Sequence, residues 1–251
     1  MLILLPPSEG KSAARRGKPL DLAALDFPSL TAPRERVVDA LVELCSGDPD
    51  VAAKTLGIGT TQRELVDLNR DLRTAPTQRA DHVYTGVLYD ALGVATLTPA
   101  AKRRATARLA VTSSVFGLVR PSDRIPAYRL SGDTSLPGLG PVAAVWREHL
   151  GEVVADTVGS GLLVDLRSGT YVGFWRPAGV RTASVRVLHE HQGQRTVVSH
   201  FNKAIKGRIV RALLESGADP RTPARLAGTL RDLGWVVEED GGRLDVVVSE
   251  L

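Results

Sequence analysis

The sequence predicts an α/β fold: a mixed β-sheet flanked by helices, in a single compact domain over residues 1–251. Three observations carry this. Short apolar runs alternate with longer stretches of helical period, the pattern of an α/β domain. No internal repeat, low-complexity tract or long linker divides the chain. A chain of 251 residues folds from about 39,000 Å² of open surface to about 11,000 Å², which leaves room for a sizeable core.

The elements follow in order. Leu2–Leu5 is a strand, stopped by Pro6 and Pro7. Ala13–Pro33 is loop, because Gly17, Pro19, Pro28 and Pro33 break any period. Helices are expected at Arg34–Leu44, Asp50–Thr55, Thr61–Arg70 and Pro99–Arg104. A strand at Leu109–Thr112, a helix at Pro141–Val154 and a strand at Leu162–Leu166 come next. Strands Ser184–Leu188 and Thr196–His200 form a hairpin around Gln192–Gly193. A helix runs over Lys203–Glu215 with Asn202 as its cap. Strands Leu233–Glu238 and Arg243–Val248 close the domain through a turn at Asp240–Gly241.

Composition narrows the function classes. With 43% hydrophobic and 24% charged residues the chain is an ordinary globular one. A single cysteine, Cys45, excludes an internal disulfide framework and any multi-thiolate metal site. His189, His191 and His200 share a hairpin region without an assignable third ligand, so no metal or cofactor is expected. The apolar start Met1–Leu5 is too short for a signal peptide, and no run approaches a membrane span. A cytoplasmic protein with no membrane partner is the expectation. The net charge of +4, with 26 Arg among 32 basic residues, permits an anionic partner. Aromatics at 4% weigh against a stacking platform for single-stranded nucleic acid. The oligomeric state is left open.

Chemistry concentrates where four strands end. Leu2–Leu5 leads to Gly10-Lys11-Ser12, and Leu109–Thr112 to Ser113, Ser114 and the stretch Phe116–Asp123. Leu162–Leu166 leads to Arg167-Ser-Gly-Thr-Tyr171, and Thr196–His200 to Asn202 and Lys203. In open α/β sheets ligands gather beyond the carboxyl ends of strands, so the four loops are expected to share one basic cleft. The first loop matches only the end of a phosphate loop, because Leu5 stands where the first Gly must be.

The stretch after Asn202 is the most informative. Lys203 and Lys206 lie in a first turn that already carries positive partial charge, an arrangement a bound anion would reverse in sign. Lys203, Gly207 and Arg211 form one stripe, and Gly207 opens it to close approach. A solvated helix with snorkelling lysines is the alternative. Arg120, Asp123, Arg124, Tyr128 and Arg129 fall within ten residues, where an Arg oriented by Asp123 clamps an anion or simply ties down the loop. Lys54–Thr61 places Gly57 and Gly59 between two short helices. That is the layout of a helix-hairpin-helix element over residues 50–70, with Thr60 and Arg63 at the turn, and equally of an ordinary turn.

Several ordered motifs resemble the YaaA family of peroxide-stress-resistance proteins over nearly the whole chain. They are the opening Met1-Leu-Ile-Leu, Val83-Tyr-Thr-Gly86, Phe116–Asp123 with Pro126-Ala-Tyr-Arg-Leu130, Trp146, Asp165–Tyr171, and Lys203, Lys206, Gly207 and Arg211 within Ser199–Arg211. The resemblance implies a cytoplasmic bacterial protein with a positively charged cleft. It also implies protection against hydrogen peroxide by limiting free iron, and double-stranded DNA binding through a helix-hairpin-helix. The chain departs from the family pattern at Pro6–Lys11, Phe116, Asp165, Thr170 and Lys206, which marks a divergent branch.

Two function classes follow. One is a stress protein whose cleft binds double-stranded DNA or a small phosphate-bearing ligand through Lys11, Ser113, Arg120, Arg129, Ser168, Tyr171, Lys203, Lys206 and Arg211. The other is an enzyme acting on a small anionic or nucleotide-like ligand, with Lys11, Asp123, Tyr128 and Lys206 as candidate catalytic residues. Lys206, on the apolar side of its helix, would be the base or nucleophile.

Overall fold

The computed structural model describes residues 1–192, 194–196 and 199–249; the side chains of Thr60, Ser199 and His200 lie outside the described set. The sheet begins with β1 (Leu2–Leu5), buried along its whole length. The helices α1 (Thr31–Ser46), α2 (Pro49–Leu56) and α3 (Glu64–Arg70) follow. A two-residue strand β2 (Gln78–Arg79) leads into α4 (Ala80–Val83), α5 (Val87–Leu92) and α6 (Pro99–Arg108). Next are β3 (Leu109–Ser113), β4 (Gly117–Val119) and the short strands β5 (Arg124–Ile125), β6 (Ser135–Leu136) and β7 (Gly140–Pro141). The chain continues through α7 (Val142–Val158), β8 (Leu163–Asp165) and α8 (Gly169–Val172). It then forms β9 (Thr182–His191), β10 (Gln194–Thr196), α9 (Ser199–Ser216), α10 (Pro223–Asp232), β11 (Val236–Asp240) and β12 (Arg243–Val248).

The main sheet has eight strands in the order β11-β12-β9-β8-β1-β3-β4, with β10 paired to β9. β3, β1, β8, β9 and β12 run parallel, while β4, β10 and β11 are antiparallel to their neighbours. Parallel strands are covered on both faces, which is why β1 and the Leu109–Val111 part of β3 read as apolar runs. This is the mixed sheet flanked by helices in one compact domain that the sequence predicts. Among the described residues no helix is long and apolar enough to cross a membrane.

Three differences matter. The strand expected at Thr196–His200 is confined to Gln194–Thr196; Val197 and Val198 lie outside the described residues, as does Gly193 of the expected turn. Helix α9 begins at Ser199, so Asn202 sits inside its first turn instead of capping it. The reason is periodic: Asn202 lies one turn before the stripe Ile205, Ile209, Leu213, which is buried. Finally, α4, α5, α8, α10, β2 and the strands β4–β7 are not among the expected elements. α10 is announced by Thr222, whose hydroxyl accepts from Arg225 N, followed by Pro223.

The loop Ala13–Pro33 and α1 are anchored by a cation. Arg34 is fully buried and donates to the carbonyl oxygens of Phe116, Leu118 and Asp26 at 2.7–3.0 Å. Burial pushes its guanidinium down to about 10, against the opposing pull of Asp123 and Asp26.

Candidate functional site

Parallel pairing of β8, β1 and β3 puts their carboxyl ends side by side. The loop leaving β1 is pinned there. Lys11 forms a β-bridge with Tyr84, Ser12 N donates to Val83 O at 2.8 Å, and Thr85 N donates to Ser8 Oγ at 3.0 Å. This holds Lys11 Nζ over the Tyr128 ring, 4.2 Å from its centroid, while it donates to Ser8 O at 2.8 Å. Burial, with the nearby Arg129 charge, pushes the Lys11 ammonium down to about 7 despite Glu9.

Beneath Lys11 lies a chain of hydroxyls. The Tyr128 hydroxyl bonds Ser113 Oγ at 2.8 Å and the Tyr84 hydroxyl at 3.1 Å. Tyr84 stacks on Tyr89, whose hydroxyl donates to Pro6 O. Burial raises the phenols of Tyr84, Tyr89 and Tyr128, and takes Tyr171 up to about 12 against the pull of Ser114. They therefore act as neutral hydrogen-bonding groups. All four tyrosines of the chain belong to this cluster.

Arg129 is placed from an unforeseen direction. Asn69 of α3, with no exposed surface, accepts from Arg129 N at 2.8 Å and donates to Arg129 O at 2.7 Å. The Arg129 side chain reaches Glu9 at 3.4 Å, but Glu9 is 86% exposed and well solvated. On the other side of β1, Asp165 and Arg167 form a buried bidentate pair, and Arg167 lies 5.4 Å from the Trp175 ring. Lys206 of α9 donates to Leu166 O at 3.1 Å, and burial lowers its pKa despite Asp165. Arg167 also donates to Tyr171 O, which ties the β8 loop to the tyrosine cluster.

Lys11, Ser113, Tyr128, Arg129, Tyr171 and Lys206 thus gather at the carboxyl edge of the sheet. Ser168 is exposed at the start of α8, and Lys203 is exposed one turn before Lys206. Arg211 points elsewhere: it donates to the carbonyl oxygens of Leu92, Gly93 and Thr96, closing the end of α5. Arg120 and Asp123 lie at the opposite end of β3, because the tight turn Ser113–Gly117 sends β4 straight back. There Arg120 donates to Ala107 O and Leu109 O, and Asp123 accepts from the backbone of Asp26 and Arg120. The expected four-loop convergence is therefore a gathering of the β1, β3 and β8 loops with α9.

In the segment 50–70, Gly57 adopts a left-handed conformation (φ 61°) and ends α2, with Ile58 N donating to Ala53 O. Gly59 and a short 3₁₀ turn lead to Arg63, which pairs with Asp50. Within this segment Asp50, Glu64 and Asp67 balance Lys54, Arg63 and Arg70, so it carries no net positive charge. The hairpin's Asn69 serves the Lys11 cluster instead. Sequence reading missed Tyr84, Tyr89 and Asn69. Tyr84 lies in the Val83–Gly86 motif, a signal that was available; Asn69 had none.

Two open hollows, of about 380 Å³ and 410 Å³, are lined by residues outside this cluster. Among the described residues no group of three His, Cys, Asp or Glu is arranged to hold a metal.

Residues 1–240 match the family described as peroxide stress protein YaaA. The chain is 52% identical to a UPF0246 protein of Streptomyces coelicolor, over the full length of both. It is 43% identical to a UPF0246 protein of Corynebacterium glutamicum, over 96% of each chain. An uncharacterized protein of Campylobacter jejuni is 26% identical over 84% of this chain and 83% of its own.

Proposed function

Because the chain belongs to the peroxide stress protein YaaA family, we propose that it serves the peroxide-stress response by binding a phosphate-bearing anion at the Lys11–Tyr128–Lys206 cluster. One observation carries this reading. Lys11 and Lys206 are drawn into the carboxyl edge of the sheet with carbonyl oxygens as their close polar partners, and neither forms an ion pair among the described residues. Desolvating cations whose nearest carboxylates, Glu9 and Asp165, are already paired with Arg129 and Arg167 is costly, and an anion bound there offsets that cost. Arg129 adds a planar donor fork suited to phosphate.

The role is one of binding more than of consuming peroxide. Cys45 is buried and burial raises its thiol, so little thiolate exists to react with an oxidant. Duplex DNA is a second source of the same phosphate chemistry. The balanced charge around Gly57 and Gly59, with Arg63 already paired to Asp50, favours a small ligand over duplex backbone at that hairpin.

Calorimetric titration with inorganic phosphate, sulfate and a short DNA duplex tests this. Wild type is expected to bind the small anions. Lys11→Met and Lys206→Met, each still folded by circular dichroism, are expected to lose affinity by about tenfold or more. Unchanged affinity in both variants overturns the proposal. Duplex binding with a steep inverse dependence on salt, lost in the same variants, would shift it from the small ligand to DNA.

The depressed ammonium of Lys11 supports a second reading, an enzyme in which Lys11 is base or nucleophile. The Tyr128 ring face under its Nζ and the Tyr128–Ser113 hydroxyl pair would line that reacting centre. Amine-acylation rates at Lys11 rising with a midpoint near pH 7 would fit it, and a midpoint near that of an exposed lysine would end it.

A further inference from the structure

We propose a second anion-binding site, separate from the Lys11 cluster, in the hollow between α4 and α6, that takes a small phosphate ester. The hollow measures about 380 Å³, within the range of small-ligand pockets. On one side Asp81, whose side chain is 6% exposed, holds Arg79 and lies near His82. It accepts from Arg79 Nε at 3.1 Å and Nη2 at 2.7 Å, and its Oδ1 lies 3.8 Å from His82 Nε2. A buried carboxylate in this position fixes the direction of the guanidinium beside it, while the exposed imidazole of His82 stands at the rim as a reporter.

The facing wall is α6, whose cations divide by role. Arg104 turns back to donate to Leu214 O and Glu215 O, and Arg108 donates to Ala218 O, so both serve packing. Lys102 and Arg103 line the hollow and make no side-chain hydrogen bond or ion pair among the described residues. With Arg79 balanced by Asp81, their two charges are left uncompensated at the rim. A phosphomonoester carries close to two negative charges near neutral pH. Val94, Ala95 and Ala105 also line the hollow and add an apolar surface. That combination fits a phosphate attached to an organic body better than inorganic phosphate alone.

Adenosine monophosphate and inorganic phosphate are the probes, and the His82 imidazole resonance, assigned with His82→Gln, is the readout. Adenosine monophosphate is expected to move that resonance saturably. Lys102→Ala/Arg103→Ala removes two exposed side chains and is expected to weaken the effect by about tenfold or more. Lys11→Met is expected to leave it unchanged, which separates this site from the one proposed above. Inorganic phosphate is expected to bind more weakly. No saturable shift, or the same shift in the double variant, overturns the site. A shift lost in Lys11→Met assigns the binding to the other cluster and also overturns it. Equal affinity for the two probes overturns the assignment to an ester.

Discussion

Lys11 brings a positive end into a place where water is scarce, and its pH behaviour follows from that. Its ammonium is held down to about 7, against about 10.4 in an unfolded chain. Between those values the unfolded chain binds the proton and the folded one does not, so folding becomes more favourable as pH rises through this window. A bound anion favours the charged form and reverses the preference. Sulfate keeps its charge across the range and is therefore the right probe. Its affinity is expected to fall as pH rises above about 7, and Lys11→Met is expected to remove that fall. Calorimetry at pH 6, 7 and 8 checks this; an affinity independent of pH in wild type contradicts it.

At the scale of elements, α9 shows how one helix sorts like residues into different tasks. Lys203 faces solvent, Lys206 faces the end of β8, and Arg211 closes α5. Gly207 makes this possible. A Cβ there would collide with Leu88 O, so the backbones of α5 and α9 approach as only glycine permits. Gly207→Ala is expected to cost about 1–3 kcal/mol through overpacking, although Ala has the higher helix propensity. Urea unfolding measures it, and a variant as stable as wild type would show that the two helices separate freely. The α2–α3 hairpin shows a similar division. Gly57 and Gly59 of its turn are exposed, while its Asn69 reaches inward to clamp Arg129.

The whole molecule decides which predicted residues meet. Ser113 and Arg120 are close in sequence, yet β3 and its return strand β4 carry them to opposite ends of the sheet. Arg120→Met is therefore expected to leave anion affinity within about twofold while lowering stability, since it strips donors from Ala107 O and Leu109 O. A loss of affinity matching that of Lys206→Met would place Arg120 in the site after all.

Much of the fold was legible locally. Apolar runs mark β1 and the start of β3, helical period marks α1, α6 and α7, and the last hairpin turns at Gly241 and Gly242, both left-handed. The start of α9 is not legible locally, because Asn is favoured at a cap over a helix interior and only burial of the stripe one turn on overrides that preference. The candidate site is legible in its residue types: Lys11, Tyr128, Arg129, Tyr171 and Lys206 stand out in the sequence and the fold brings them to one edge of the sheet. By itself the sequence determined the α/β class, the order of most elements and the cationic, hydroxyl-rich character of the strand ends. Period, proline and glycine placement and charge act between near neighbours, so they are written in the chain directly. Tertiary structure alone decided that Tyr84, Tyr89 and Asn69 join the cluster while Arg120, Asp123 and Arg211 are held elsewhere. Those outcomes depend on strand register and on which buried carbonyls needed a donor, and both exist only once distant segments have packed.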